Sequence, residues 1–251
     1  MSAETVLRVE NLCRAFGGVV AVDGVSFELR AGQLLAMIGP NGAGKSTCFN
    51  LLNGQLRPDR GSVRYRDREL VGLPPRRIWR LGVGRTFQIT ATFGSMTVLE
   101  NVQMALLSHH RRLGALWRRA GDHHRDEALG LLAQVAMQEQ AERTCGVLAY
   151  GDLKRVELAV ALANQPGLLL MDEPTAGMAP RERVELMALT ARIARAQGIA
   201  VLFTEHDMDV VFGHADRLLV LNRGCKISEG SPEAVRRDPQ VQSIYLGEEH
   251  A

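Results

Sequence analysis

The nine residues GPNGAGKST, from Gly39 to Thr47, constrain the fold of this chain more than any other stretch. They match the pattern G-x-x-x-x-G-K-[ST], and they come directly after the apolar run LLAMI at 34–38. Glycines in such a loop let the backbone curve closely enough for its N–H groups to surround a phosphate. Because the loop works between a strand and a helix, we expect a strand at 34–38 and a helix that begins at Lys45.

Two side chains of this loop, Lys45 and Ser46, have different predicted roles. We predict that Lys45 reaches the β- and γ-phosphate oxygens of a nucleotide and that Ser46 offers its hydroxyl to Mg²⁺. The alternative, an ordinary glycine-rich turn between a strand and a helix, leaves the lysine unexplained. The predicted phosphate-binding residues are Gly39, Pro40, Asn41, Gly42, Ala43, Gly44, Lys45, Ser46 and Thr47.

Two acidic residues follow a second apolar run, LLLMD at 168–172. We expect Asp172 to hold Mg²⁺, directly or through water. Glu173 then stands where a carboxylate can orient or deprotonate the water that attacks the γ-phosphate. Taken alone, the DEP tripeptide also fits a polar strand end ahead of a turn, and it is the phosphate loop that favours the metal site.

Two further apolar runs, IAVLFT at 199–204 and RLLVLN at 217–222, indicate the fold class. Like the two runs above, they are short and nearly all apolar, as buried parallel strands are. We expect all four to be neighbours in one sheet of a layered α/β domain, in which strands alternate with amphipathic helices.

The stretch from about 97 to 164 is wholly helical in its hydrophobic pattern. We therefore expect a single domain over 1–251, with a core formed by 1–96 and 165–251 and a helical subdomain at 97–164. A histidine- and arginine-rich segment from His109 to Glu127 lies inside this helical subdomain. Because its histidines form adjacent pairs, and neighbours at i and i+1 on a helix do not face each other, we assign no metal to it.

Composition excludes several classes of protein. The net charge of +2 gives no overall attraction to nucleic acid or anionic lipid. The four cysteines lie far apart, which argues against zinc sites and disulfides and fits a reducing cytosol. The N-terminus lacks the pattern of a secretory signal, and no apolar run approaches the ~20 residues of a membrane-spanning helix.

Five motifs in order, GPNGAGKST, RTFQ, LAYGD, LLLMDEP and TEHD, resemble the ATP-binding subunit of ABC transporters over essentially the whole chain. FGGVVAVDGVSFELRAGQ and LPPRRIWRLGVGRTFQ resemble, more closely, the subunit of bacterial uptake systems for branched-chain, or hydrophobic, amino acids. The resemblance implies a P-loop NTPase core with flanking helices, an N-terminal antiparallel β subdomain and a helical signature subdomain. It also implies ATP as the nucleotide, and no Asn-Lys-x-Asp segment indicates guanine binding.

The resemblance assigns roles to three more residues. Phe16 matches an aromatic residue that stacks on adenine, although a core position is the alternative. Gln88 matches a glutamine that contacts Mg²⁺ and the attacking water. His206 matches a switch histidine that touches the γ-phosphate, whereas alone it would read as a histidine with a local hydrogen bond at a strand end.

The stretch LAYGD, which we call the signature, aligns with a family segment that caps the γ-phosphate held by the opposite subunit. The resemblance therefore places Ala149, Tyr150, Gly151 and Asp152 in a site completed in trans. Ala149 lacks the usual serine hydroxyl, and we interpret Asp152 as a helix N-cap. Ala179 replaces an aspartate that helps to couple the two sites, so we expect slow hydrolysis.

The resemblance also implies a cycle and partners. ATP binding closes a head-to-tail dimer with an identical or homologous subunit, and hydrolysis, with Glu173, His206, Lys45 and Gln88 as the catalytic residues, reopens it. Membrane-embedded permease subunits and, indirectly, a solute-binding protein are the expected partners, at the cytoplasmic face of the inner membrane, with no nucleic acid. Uptake of another small solute, such as urea, an amide or an aromatic acid, is the alternative.

Other P-loop proteins fit the sequence less well. An ABC ATPase of the DNA-repair or cohesin-like type needs long coiled coils, and no sustained heptads occur. A translation-associated ABC protein normally carries two tandem ATPase halves, whereas this chain has one phosphate loop. A P-loop kinase would use the helical segment as a lid, and the order of the five motifs argues against it. A non-transport P-loop ATPase thus remains the second alternative.

Overall fold

The computed structural model describes residues 4–86, 92–110 and 124–247. The strands of the described residues are β1 Thr5–Phe16, β2 Val19–Arg30, β3 Leu34–Ile38, β4 Arg60–Tyr65, β5 Arg68–Glu69, β6 Val83–Thr86, β7 Leu168–Asp172, β8 Ala200–Thr204, β9 Arg217–Asn222 and β10 Cys225–Gly230. The α-helices are α1 Lys45–Leu52, α2 Pro75–Arg80, α3 Val98–His109, α4 Arg125–Gln134, α5 Tyr150–Leu162, α6 Pro180–Gln197, α7 Met208–His214, α8 Pro232–Arg236 and α9 Pro239–Gly247.

The N-terminal part forms a four-stranded antiparallel sheet with the strand order β2-β1-β4-β5. Strand β2 begins directly after a two-residue loop, Gly17–Gly18, that joins it to β1. Both glycines have positive φ, 53° and 89°. A two-residue hairpin loop with positive φ at both positions matches the twist of its strands, and glycine adopts it without strain.

The central sheet has six strands in the order β10-β9-β3-β8-β7-β6. All its pairings are parallel except that of β10 with β9. Three of the four apolar runs form strands with the predicted bounds, and the fourth begins one residue later, at Ala200. The prediction of an α/β fold with one parallel sheet is therefore confirmed.

Strand β3 separates two hydrophobic cores. Leu34, Ala36 and Ile38 face the helices on one side of the sheet. Leu35 and Met37 face α1 and the N-terminal sheet on the other side. Burial on both faces explains why the strand reads as an unbroken apolar run and not as an alternating one.

Helices α3, α4 and α5 lie within the stretch that reads as helical, and they pack against one another. Helix α3 starts with a capping box, in which Thr97 Oγ1 accepts from the Glu100 backbone N–H at 3.1 Å and Glu100 Oε2 accepts from the Thr97 N–H at 2.7 Å. Residues 111–123 of the histidine-rich segment lie outside the described residues. Among the described helices, each is too short or too polar to cross a bilayer.

Candidate functional site

The phosphate loop lies at the carboxyl end of β3, the strand between β8 and β9. Gly39 and Gly44 have φ of 150° and 101°. A Cβ on Gly39 would collide with the Leu221 carbonyl oxygen, and one on Gly44 with the Ala21 carbonyl oxygen. Neighbouring backbone thus fixes the path of the loop, and its open side is left for a ligand.

Helix α1 begins at Lys45, as predicted, with Gly44 as its N-cap residue. The Lys45 side chain is buried, and its Nζ donates to the carbonyl oxygens of Gly39 at 2.6 Å and Pro40 at 3.0 Å. Ser46 is exposed and Thr47 is half-buried. The N–H groups of the first turn, the helix dipole and the ammonium together make an anion-binding site of the kind a phosphate needs.

Cys48, one turn into α1, is fully buried, and burial raises the pKa of its thiol to about 12. Cys225 is exposed. At pH 8 we expect iodoacetamide to alkylate Cys225 and to spare Cys48, because only the thiolate reacts and a buried thiol stays protonated. Peptide mapping by mass spectrometry checks this result. In 6 M urea both cysteines should react equally, and rapid labelling of Cys48 in the folded protein would contradict it.

Asp172 lies at the carboxyl end of β7, paired in register with Thr204 of β8. Thr204 Oγ1 donates to Asp172 Oδ1 at 2.8 Å, and Arg85 Nη2 lies 3.7 Å from Asp172 Oδ2. Burial lowers the pKa of Arg85, and the Asp172 carboxylate partly offsets that effect. These contacts fix the direction of the carboxylate at the sheet edge where the phosphate loop also lies.

Glu173, the next residue, has a φ of 48°, a left-handed conformation that is uncommon outside glycine. Its backbone N–H donates to the carbonyl oxygen of Thr204 at 3.2 Å and to Thr204 Oγ1 at 3.0 Å. Its Oε1 lies 2.8 Å from His206 Nε2. The two residues predicted from separate strands are therefore in contact, in a strained backbone held by its neighbours.

A buried carboxylate that the sequence argument did not include supports this pair. Glu205 is 5% exposed, and its Oε1 accepts from the N–H of Thr175 at 2.8 Å and from its Oγ1 at 2.6 Å. Its Oε2 accepts from the His206 N–H at 3.3 Å. Glu205 thus joins the loop after β7 to the loop after β8. The available signal was its place directly after the buried strand β8, since a carboxylate that stays buried needs hydrogen-bond donors around it.

Phe16 ends β1 with 41% of its surface exposed, so the alternative of a core position is wrong. The Arg14 guanidinium lies over its ring, 4.7 Å from the centroid. The ring is accessible to a ligand, and its stacking on adenine stays a prediction. Gln88 lies outside the described residues.

The signature lies at the start of helix α5, but the helix begins earlier than an N-cap at Asp152 would place it. The helix begins at Tyr150, with Ala149 as an N-cap residue that makes no side-chain cap. Asp152 lies in the first turn, so its interpretation as the N-cap was wrong; its charge still suits the helix dipole. The Tyr150 ring lies beside Gly177, 3.4 Å from where a Cβ would be. The signature therefore packs against the loop that follows β7.

Comparison with known proteins adds to this geometry. A family model described as "ABC transporter" matches residues 22–176, and one described as "Branched-chain amino acid ATP-binding cassette transporter" matches residues 225–251. The chain is 41% identical over 256 residues to the high-affinity branched-chain amino acid transport ATP-binding protein LivG of Salmonella typhimurium, covering 98% of this chain and 99% of LivG.

Solved structures show the same fold. The ADP conformation of an ATP-binding cassette of an ABC transporter is 32% identical, with a TM-score of 0.85, over 97% of this chain and 99% of that one. A dimeric post-hydrolysis state of another ATP-binding cassette, bound to ADP and Pi, is 25% identical with a TM-score of 0.76, over 90% of this chain and 98% of that one.

Proposed function

The chain belongs to the ABC transporter family and is an ATPase, and on this premise we propose that it powers an importer for branched-chain or related hydrophobic amino acids. The observation that carries the proposal is the 41% sequence identity to LivG over 98% of the chain. The phosphate loop, Asp172, Glu173 and His206, which lie at one edge of the central sheet, support it. An importer for urea, an amide or an aromatic acid is the alternative, since the cargo does not contact this subunit.

We propose that the triphosphate binds to the loop N–H groups, to the first turn of α1 and to Lys45. For this, the Lys45 ammonium exchanges its bonds to the Gly39 and Pro40 carbonyls for bonds to phosphate oxygens. The exposed Phe16 ring is suited to stack on adenine.

The donor set at the loop fits Mg²⁺, which prefers oxygen ligands. The exposed Ser46 hydroxyl and the Asp172 carboxylate, held by Thr204, supply two of them. Gln88 completes our proposed set. When bound, the ion neutralises phosphate charge that develops during transfer.

Glu173 is the proposed base or water-orienting residue. Its carboxylate would accept a proton from the water that attacks the γ-phosphate. His206 Nε2, now 2.8 Å from Glu173, can turn to the γ-phosphate because its side chain is 52% exposed. His206 and Lys45 then stabilise the charge of the transferring phosphoryl group.

We propose further that the site is completed in trans by the signature of a second subunit, identical or homologous. Ala149, Tyr150, Gly151 and Asp152 surround the N-terminus of α5, where N–H groups and the dipole favour an anion. The dimeric state of the similar cassette with bound ADP and Pi supports the pairing of two such subunits. The helical subdomain at 97–164 would pass closure on to permease subunits at the cytoplasmic face of the membrane, supplied by a solute-binding protein.

Reconstitution tests the transport proposal. We expect the chain to co-purify from its host with integral membrane subunits and, in proteoliposomes with a solute-binding protein, to drive ATP-dependent accumulation of leucine. Isoleucine, valine, phenylalanine, urea, a short amide and an aromatic acid are measured in parallel. A complex with Lys45→Ala should retain assembly but accumulate nothing, which separates assembly of the complex from ATP-driven transport.

Each outcome of that experiment decides between the alternatives. Accumulation of urea or an aromatic acid, but not of aliphatic amino acids, would overturn the amino acid assignment and keep the importer. Co-purification with ribosomes or DNA, in the absence of membrane proteins, would overturn the importer itself.

A further inference from the structure

Outside the nucleotide site, three metal-ligating side chains meet where helix α3 ends and helix α4 begins. They are His110, which follows α3, His124, which precedes α4, and Glu127 in the first turn of α4. Their ligand atoms all lie within 4.8 Å of one another. The two histidines approach each other although residues 111–123 separate them in sequence.

Both imidazole rings turn a nitrogen toward the same carboxylate oxygen. His124 Nδ1 lies 2.9 Å from Glu127 Oε2, and His110 Nε2 lies 3.3 Å from it. The rings are stacked, with centroids 4.4 Å apart and planes 6° from parallel. The His124 side chain is 16% exposed and the other two are about one-third exposed, so the cluster is partly withdrawn from water.

A plain ion pair at the start of α4 explains only part of this arrangement. His124 and Glu127 are three residues apart, and an acidic side chain in the first turn stabilises a helix. That pair gives no reason for a second imidazole, brought from another helix, beside the same oxygen. Two protonated imidazoles at this spacing repel each other, whereas two neutral imidazoles can offer their lone pairs to one cation.

We propose that His110, His124 and Glu127 bind one Zn²⁺ ion, through Nε2, Nδ1 and a carboxylate oxygen, with solvent in the fourth position. Two imidazoles and one carboxylate are a ligand set that zinc takes in proteins, at distances of ~2.0–2.2 Å. The stacked His110 ring must rotate to reach that geometry, and its one-third exposed side chain has solvent beside it into which it can turn. The ion joins the end of α3 to the start of α4.

This proposal replaces the expectation of no metal in the segment from His109 to Glu127. That expectation considered the histidines as adjacent pairs on a helix, whose members do not converge. The structure instead joins one histidine of each pair, His110 and His124, across two helix ends. A contact of this kind depends on the packing of α3 against α4, which the sequence pattern does not contain.

Calorimetric titration of the full chain, purified without a polyhistidine tag, with Zn²⁺ tests the site. We expect one ion per chain and a rise in Tm, since binding to the folded state alone stabilises it. His110→Ala and His124→Ala should each weaken zinc binding at least about a hundredfold and abolish the rise in Tm. Circular dichroism and the ATPase rate in the absence of zinc should stay unchanged, which shows that the variants fold.

Two matched controls exclude other zinc ligands. His214→Ala removes a histidine at the end of α7, and Cys225→Ser removes the exposed thiol. Both should bind Zn²⁺ like the unaltered protein, and Co²⁺ in its place should give no thiolate charge-transfer band. The proposal is overturned if the unaltered protein does not bind Zn²⁺, if His110→Ala binds it equally well, or if Cys225→Ser loses it.

Discussion

The variant Glu173→Gln should bind ATP but hydrolyse it at least about a hundredfold more slowly than the unaltered protein. The amide has nearly the shape of the carboxylate, yet it cannot accept a proton from the attacking water. With hydrolysis blocked, ATP should hold two chains together. Size-exclusion chromatography with ATP should then show a species of twice the 27.5 kDa chain mass, while a steady-state phosphate assay reports the rate.

Glu139→Gln is the matched control for this experiment. Glu139 is exposed in the 3-10 turn that follows α4. Its amide variant should hydrolyse ATP normally and form no ATP-trapped dimer. Full activity of Glu173→Gln would contradict the role of the carboxylate, and a loss of ATP binding would show that Glu173 is needed for an earlier step.

The variant Glu157→Ala should destabilise the protein by about 3–5 kcal/mol, because it removes one member of a buried ion pair. Lys154 Nζ lies 3.0 Å from Glu157 Oε2 in α5, with side chains only 3% and 5% exposed. The change leaves the Lys154 ammonium buried without the Glu157 carboxylate. For a chain of this size we expect Tm to fall by roughly 6 to 20 °C, measured by calorimetry.

The double variant Lys154→Met with Glu157→Leu separates charge burial from packing. Replacing both charges by apolar groups of similar volume is often neutral or stabilising, so the double variant should melt within a few degrees of the unaltered protein. Arg181→Ala breaks an exposed pair with Glu185 and should cost about 0.5 kcal/mol or less. A double variant as unstable as Glu157→Ala would show that packing, and not charge, sets the cost.

Local patterns in the sequence predicted the framework well. Strands such as Leu34–Ile38 and Leu168–Asp172 are buried on both faces, so they read as apolar runs with sharp ends. Helix α1 starts at the predicted lysine because the phosphate loop fixes its first turn. The start of α5 was misplaced, because Asp152 resembles an N-cap residue whereas the helix already begins at Tyr150.

Contacts between distant parts of the chain could not be predicted in the same way. Glu205 and Thr175 meet because β7 and β8 are neighbours with a fixed register. His110 and His124 meet because α3 and α4 pack together. Each pair depends on tertiary arrangement, and the separate residues carry no periodic signal for it.

The contacts of Lys45 bear on how the proposed nucleotide site would bind a phosphate. Its ammonium donates to two carbonyl oxygens of its own loop and so holds the two ends of the loop together. The loop is therefore preformed, and an incoming anion pays little entropy to order it. In the proposed binding mode, Lys45 would exchange two neutral acceptors for charged phosphate oxygens at nearly constant backbone shape. In the proposed cycle, the large movement would then be the approach of two subunits and not a rearrangement of the loop.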